Sequence, residues 1–256
     1  MKHVLPLTLP LVLALAACNK TSEAPAPAAT PAASAAAPAQ TESSDNHSAA
    51  AEAAATPSMA AETSLKPNLV EGVDYVLIPN GQPLQPLDGK VEVVEVFAYW
   101  CGHCAALEPL LQAWKAKLPA DVRFTPVALA GGGAADVWAR IYYAAETTQQ
   151  LGKVHGAVFD ALHGSRRLTP NASQEQILDY LGKQGVDTQA LSSAMSSFAM
   201  GSRLSQGLQF ANRSGVEGTP TLIVNGKYRV LGRSHEDQLQ VVNTLIAQER
   251  KAAAAQ

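Results

Sequence analysis

The chain has 256 residues, a net charge of −3 with both signs scattered along it, and three cysteines. The charge offers no basic surface for nucleic acid, and an odd cysteine count leaves one over once a nearby pair is matched. That unmatched residue is explained at the start of the chain. "MKHVLPLTLPLVLALAAC" has Lys2, then an apolar run from Val4 to Leu13 too short to span a bilayer, then small residues before Cys18. This reads as a secretory signal. Its ending, Leu15-Ala16-Ala17-Cys18, resembles the bacterial lipoprotein cleavage box, which implies a signal over residues 1–17 and lipid on Cys18. No later segment has the apolar length of a membrane span.

Residues 18–64 are dominated by alanine, proline, serine and threonine, with almost no large apolar side chain, so they cannot bury a core and read as a tether. As a flexible coil such a tether spans about 35–40 Å. From Leu65 onward the chain is long enough for one domain, or for a domain carrying an insertion. "VDYVLIP" (73–79) is a short β-rich run. "VEVVEVFAYW" (91–100) is nearly continuous in apolar residues, as expected of a central strand buried on both faces. "CGHCAALEPLLQAWKAKL" then sets apolar residues at 107, 110, 111 and 114, a helical spacing, before Pro119. "VRFTPVALA" (122–130) returns to strand, completing a βαβ unit with Cys101 and Cys104 at its first turn.

Helical periodicity dominates after Gly131-Gly132-Gly133. One stripe is Val137, Ile141 and Ala145, Ser173 with Gln176 forms a capping box, and a further stripe is Leu191, Met195 and Phe198. "TPTLIVNGKYRVLG" contains two β-rich runs around Asn225-Gly226, a hairpin signal, and the chain closes with an amphipathic helix. The order expected is a first half over 65–130, a helical insertion over 131–205 and a second half over 206–256.

The chemistry concentrates at Cys101 and Cys104. Zinc needs four ligands, no third cysteine lies in the globular part, and His155 and His163 match no ligand spacing, so those histidines read as solvated or locally bonded. A structural bridge closing so small a loop would constrain little chain. A redox pair fits best. Cys101 falls where unpaired N–H groups and the helix dipole favour its thiolate, and a protonated His103 adds positive charge. Cys104, almost a turn inside the helix, reads as the resolving sulfur. Glu95 and Glu92 are an odd number apart and face opposite sides of their strand. Glu95 reads as a buried acid of raised pKa, able to exchange a proton with Cys104. Glu108 reads as a solvated helix residue, Pro109 as a helix kink, and Trp100 as a shield or a packing aromatic.

Trp100-Cys101-Gly102-His103-Cys104, Pro109 in the following helix and Gly218-Thr219-Pro220 before the last hairpin resemble the thioredoxin superfamily, and the helical insertion is similar to that of the DsbA family of bacterial thiol-disulfide oxidases. The resemblance covers about residues 70–250. It implies an α/β thioredoxin fold with an inserted helical domain, a redox-active disulfide Cys101–Cys104, Glu95 as buried acid, and Thr219-Pro220 as a cis-proline loop that receives client peptide. Many bacterial isomerases carry a separate dimerisation module where this chain has a low-complexity tether, which favours a monomer. No metal or other cofactor is expected, and the location expected is the periplasm of a Gram-negative bacterium, with the lipoprotein box implying an anchor through Cys18. Its partners would be unfolded exported proteins with free thiols and a DsbB-type quinone-linked membrane oxidase. The Gly-His dipeptide is that of protein disulfide isomerase, and "FTPVALA" holds no lysine to partner Glu95. The other readings are a disulfide reductase or isomerase using the same residues, and a lipoprotein that binds metal through its two thiols.

Overall fold

The computed structural model describes residues 65–255, so Cys18, the signal and the tether lie outside the described residues. Among the described residues, strands β1 (Tyr75–Leu77), β2 (Val91–Phe97), β3 (Val122–Ala128), β4 (Thr221–Val224) and β5 (Tyr228–Val230) form one sheet in the order β1-β5-β4-β2-β3. β2 and β3 run parallel; the other neighbours are antiparallel. Parallel pairing needs a crossover, and helix α1 (Gly102–Lys115) supplies it.

Every residue of β2 is buried, as its apolar run predicts. Alternation divides the strand between two faces. Val91 and Val93 pack with Leu107, Leu111 and Trp114 of α1 and with Val241, Val242 and Leu245 of α7 (His235–Ala254). Val94 and Val96 pack with Phe210 and Ala211 of α6 (Phe198–Arg213). Each such aliphatic side chain contributes about 1.5–3 kcal/mol on burial. The same alternation turns Glu95 toward α1 and Glu92 toward α6. On that second face Glu92 is fully buried, and its carboxylate accepts from the N–H groups of Leu84 and Gln85 and from Arg123.

Between β3 and β4 come α2 (Ala134–Thr147), α3 (Leu151–Phe159), a π turn (Asp160–Gly164), α4 (Gln174–Lys183) and α5 (Thr188–Met195), then α6. They form their own core around Trp138, Ile141, Val154, Val158, Ile177 and Leu191, which continues onto Phe97, Tyr99 and Cys104. The Ser173–Gln176 capping box starts α4. Asn225 and Gly226 take positive φ (50° and 64°) in the β4–β5 turn, the geometry that Asn-Gly favours.

Two local expectations change. Strand β1 is shorter than 73–79 because Val73 and Asp74 belong to a turn closed by their N–H groups on the Val70 carbonyl. Phe198 does not extend the α5 stripe; it opens α6 and is 98% exposed. Pro109 lies inside helix α1.

Candidate active site

Helix α1 begins immediately after Cys101, its N-cap. The first N–H groups of a helix lack partners within it, and the Cys101 sulfur lies among them: the Cys104 N–H donates to Sγ at 3.4 Å. As a thiol, Cys101 also donates to the Thr219 carbonyl at 3.1 Å. Burial of the sulfur opposes its ionisation. Hydrogen bonding to the Thr219 side chain and to the N–H groups of Cys104 and His103 outweighs that, and the Cys101 pKa lies below the ordinary cysteine value. The contribution of His103 to the sulfur is thus a backbone N–H, while its ring lies edge-on to that of His235, centroids 6.3 Å apart.

Cys104 has the opposite environment. It is 1% exposed, and burial, with the charges of Cys101 and Glu95 nearby, pushes its thiol well above the ordinary value. Glu95 is buried too, opposite Pro126 on β3 and Leu222 on β4. Neither neighbour carries charge. Burial, then the Glu108 carboxylate, raise its pKa to about 8, with Lys115 pulling the other way. At neutral pH Glu95 therefore holds a proton, and the group under its influence that would need one is a Cys104 thiolate.

The third wall of the site is the loop before β4. Its Thr219-Pro220 peptide bond is cis, and Thr219 presents the carbonyl that meets Cys101. All the predicted residues of the globular part, Glu95, Cys101, His103, Cys104, Thr219 and Pro220, are thereby gathered at one end of the sheet, around the N-terminus of α1. Trp100 is half-buried against the insertion core.

Sequence reasoning missed a second layer under the cysteines. Glu108 is not a solvated helix residue: its side chain is 14% exposed, 3.2 Å from His155 Nε2, and accepts from Gln112. His155 and His163 are part-buried, and their ring nitrogens bond to a residue far away in the chain. His155 Nδ1 lies 2.9 Å from the Tyr99 hydroxyl, and His163 Nε2 donates to the Tyr99 carbonyl at 2.7 Å. Nothing in local spacing signals these contacts, since they join the insertion to a segment more than forty residues earlier.

A cysteine pair of opposed acidities, a neutral acid beneath it and a proline loop over it are the parts of a thiol-disulfide exchanger. Residues 92–242 match the model of the DSBA-like thioredoxin domain. The chain belongs to this family. It is 38% identical over 188 residues to the thiol:disulfide interchange protein DsbA of Pseudomonas syringae pv. tomato, covering 72% of this chain and 86% of that protein. With the protein of the same name from Azotobacter vinelandii it shares 39% over 187 residues, covering 71% and 85%. Among solved structures, oxidoreductase DsbA from Xylella fastidiosa superposes with a TM-score of 0.68 at 37% identity, covering 72% of this chain and 98% of that one. DsbA of Pseudomonas aeruginosa gives 0.68 at 35%, covering 73% and 97%. The family member described here is a protein thiol-disulfide oxidoreductase with the thioredoxin fold.

Proposed function

We propose that the protein is an oxidase that donates the Cys101–Cys104 disulfide to unfolded exported proteins. The observation that carries this reading is the asymmetry of the two sulfurs: Cys101 is lowered in pKa and half-buried against the Thr219 carbonyl, whereas Cys104 is raised and enclosed. A client thiolate attacks Cys101 Sγ, the Cys101–Cys104 bond breaks, and Cys104 leaves as a thiolate that takes the Glu95 proton. A second client thiolate then attacks the client sulfur of the mixed disulfide and expels Cys101 as a thiolate. The client has lost two electrons and, to solvent, two protons; the protein is left with Cys104 as a thiol and Cys101 as a thiolate, and Glu95 regains its proton from solvent. Cys101 is the better leaving group because its pKa is lower. Stabilising that thiolate also favours the dithiol form, which makes the disulfide oxidising.

The Thr219-Pro220 loop supports a client site, since an extended peptide laid beside it can pair with backbone next to the reacting sulfur. We further propose residues 18–64 as a tether from a lipid on Cys18, the periplasm as the location, a monomeric state, and a quinone-linked membrane oxidase of the DsbB type as the partner that restores the disulfide. The folded part comprises the βαβ half over 65–130, the insertion over 131–205 and the closing half over 206–256.

The test is capture. Cys104→Ser, loaded as a mixed disulfide with a small thiol and then offered a reduced unfolded protein with a single cysteine, should accumulate a covalent complex through Cys101, which wild type releases by return attack of Cys104. A wild-type protein that forms no disulfide in a reduced client when supplied as the disulfide refutes the oxidase reading.

A further inference from the structure

His155 is delivered to the site by the insertion. Helix α3 is anchored by Val154 and Val158, both fully buried, which brings the intervening imidazole against Phe97, Tyr99, Tyr142 and Phe159, with ring centroids 5.0–5.8 Å away. The side chain is 13% exposed. Both ring nitrogens are engaged, Nε2 with Glu108 and Nδ1 with the Tyr99 hydroxyl. These partners differ in what they can do. An ionised carboxylate only accepts, so Nε2 carries a proton in either charge state of the ring. A phenol both donates and accepts. The Tyr99 hydroxyl donates to Nδ1 when the imidazole is neutral, and rotates to accept from it when the imidazole is cationic. The pocket therefore satisfies both charge states without moving a heavy atom, in a side chain whose ordinary titration falls between about pH 5 and 8.

We propose that His155 is a positioning residue for the thiol chemistry: by gaining and losing a proton between Glu108 and Tyr99, it switches the charge beneath the Cys101–Cys104 pair. This rests on the reading of that pair as the redox centre. The route is electrostatic. Glu108 follows Cys104 by four residues, one turn along the same face of α1, so its negative charge disfavours a thiolate at the pair, while Glu95, with its pKa of about 8, stays neutral in acid. A cationic His155 offsets the Glu108 charge within a site largely closed to water, where such pairs are weakly screened. Tyr99 also leads directly into the active-site turn, where the Cys101 N–H donates to the Ala98 carbonyl, so the same hydroxyl that reads the imidazole state belongs to the segment carrying the cysteine. The titratable groups facing the ring are Glu108 from α1, Tyr99 from the turn before α1 and Tyr142 from α2. Lys115 acts on Glu108 from about two turns along its helix, and His163 lies beyond Phe159 on the π turn. A cation here favours thiolate. Acidification through the His155 titration thus draws the equilibrium toward the dithiol and makes the disulfide a stronger oxidant.

The test compares wild type with His155→Gln, which keeps a donor but cannot become a cation. The full chain is equilibrated with reduced and oxidised glutathione at several pH values, and the ratio of the two proteins' equilibrium constants is followed. Every other ionisable group is common to both proteins and cancels in the ratio. The two should agree within about twofold near pH 8, and the variant should be about three- to tenfold harder to reduce near pH 5.5. In a Glu108→Gln background the pH-dependent part of the difference should shrink. A ratio that does not change with pH overturns the switch and leaves His155 a packing residue. Nitrogen NMR of the wild-type imidazole gives a second reading that needs no variant to fold: the Nε2–H tautomer at high pH and a second ring proton on acidification. A ring that stays neutral down to about pH 5 also overturns the proposal. If both proteins prove to be reducing at every pH, the oxidase reading falls while the ratio still judges the switch.

Discussion

Replacing Glu95 with glutamine should stabilise the protein, and by an amount that depends on pH in a defined way. The folded pKa is raised from an ordinary 4.5 to about 8, first by burial and then by the Glu108 charge. A group whose folded pKa is raised contributes stability that is present below its unfolded value and lost as pH rises through the folded one. Glu95 therefore costs little in acid, where it is neutral in both states. The cost grows between the two pKa values, because the unfolded chain ionises freely while the folded one does not, and it levels off above about pH 8. With one unit worth 1.36 kcal/mol, it amounts to about 3 kcal/mol near pH 7 and about 4–5 kcal/mol near pH 9. Glutamine keeps the shape and cannot ionise. Urea unfolding of the disulfide form, in which neither sulfur titrates, should give curves for wild type and Glu95→Gln that differ least near pH 4 and separate progressively toward pH 9. A constant offset from the new amide would not alter that separation. Parallel stability profiles, or a gap that narrows as pH rises, would show that Glu95 is ionised in the folded protein and cannot donate a proton to Cys104.

Thiolate absorbance of the reduced protein should rise with a midpoint below that of ordinary cysteine, owing to Cys101 alone, with Cys104 silent until well into the alkaline range; one midpoint near the ordinary value, shared by both sulfurs, would contradict the asymmetry. Gly226→Ala should cost more than about 2 kcal/mol in urea unfolding, since φ is 64° and an added Cβ would sit 2.1 Å from the Gln82 carbonyl oxygen; a neutral substitution would mean the turn is drawn wrongly. Glu249 accepts from Asn225 at 2.6 Å, Lys227 at 2.7 Å and Tyr228 at 3.0 Å, so Glu249→Ala should destabilise the hairpin-to-α7 contact by about 2 kcal/mol near neutral pH. Burial opposes ionisation of Glu249, but these partners prevail and lower its pKa. Its stabilisation is lost as pH falls through the folded value, so the gap between variant and wild type should close in acid.

The residues whose meaning was legible in the sequence are those whose signal is local. An unbroken apolar strand implies two covered faces, so Glu95 in its middle had to be a buried acid, and its odd spacing from Glu92 placed the two on opposite sides. Two cysteines at a strand-to-helix seam implied unequal sulfurs, because only the first meets the free N–H groups of the helix start. Asn225-Gly226 marked a turn needing two positive φ values. The Thr219-Pro220 bond and its position over the cysteine came from family resemblance, not from spacing. The layer beneath the thiols was hidden because its contacts are long-range: Tyr99 and His155 are separated by 56 positions, Tyr99 and His163 by 64. Glu108 flanks the apolar stripe of α1 and looks solvated until α3 covers it with His155. Phe198 was misplaced for a related reason. Its spacing from Met195 continues the α5 period, but α5 ends at Met195 and a new helix starts at Phe198.

The central claim is that the protein donates disulfides, and the glutathione equilibrium of the Cys101–Cys104 pair at neutral pH measures it most directly. Thiolate stabilisation at Cys101 predicts a strongly oxidising couple, with the dithiol dominant at glutathione ratios that leave ordinary structural disulfides intact. A couple that stays oxidised under those conditions, and yields only to far more reducing buffers, would contradict the account and make the same site a reductase.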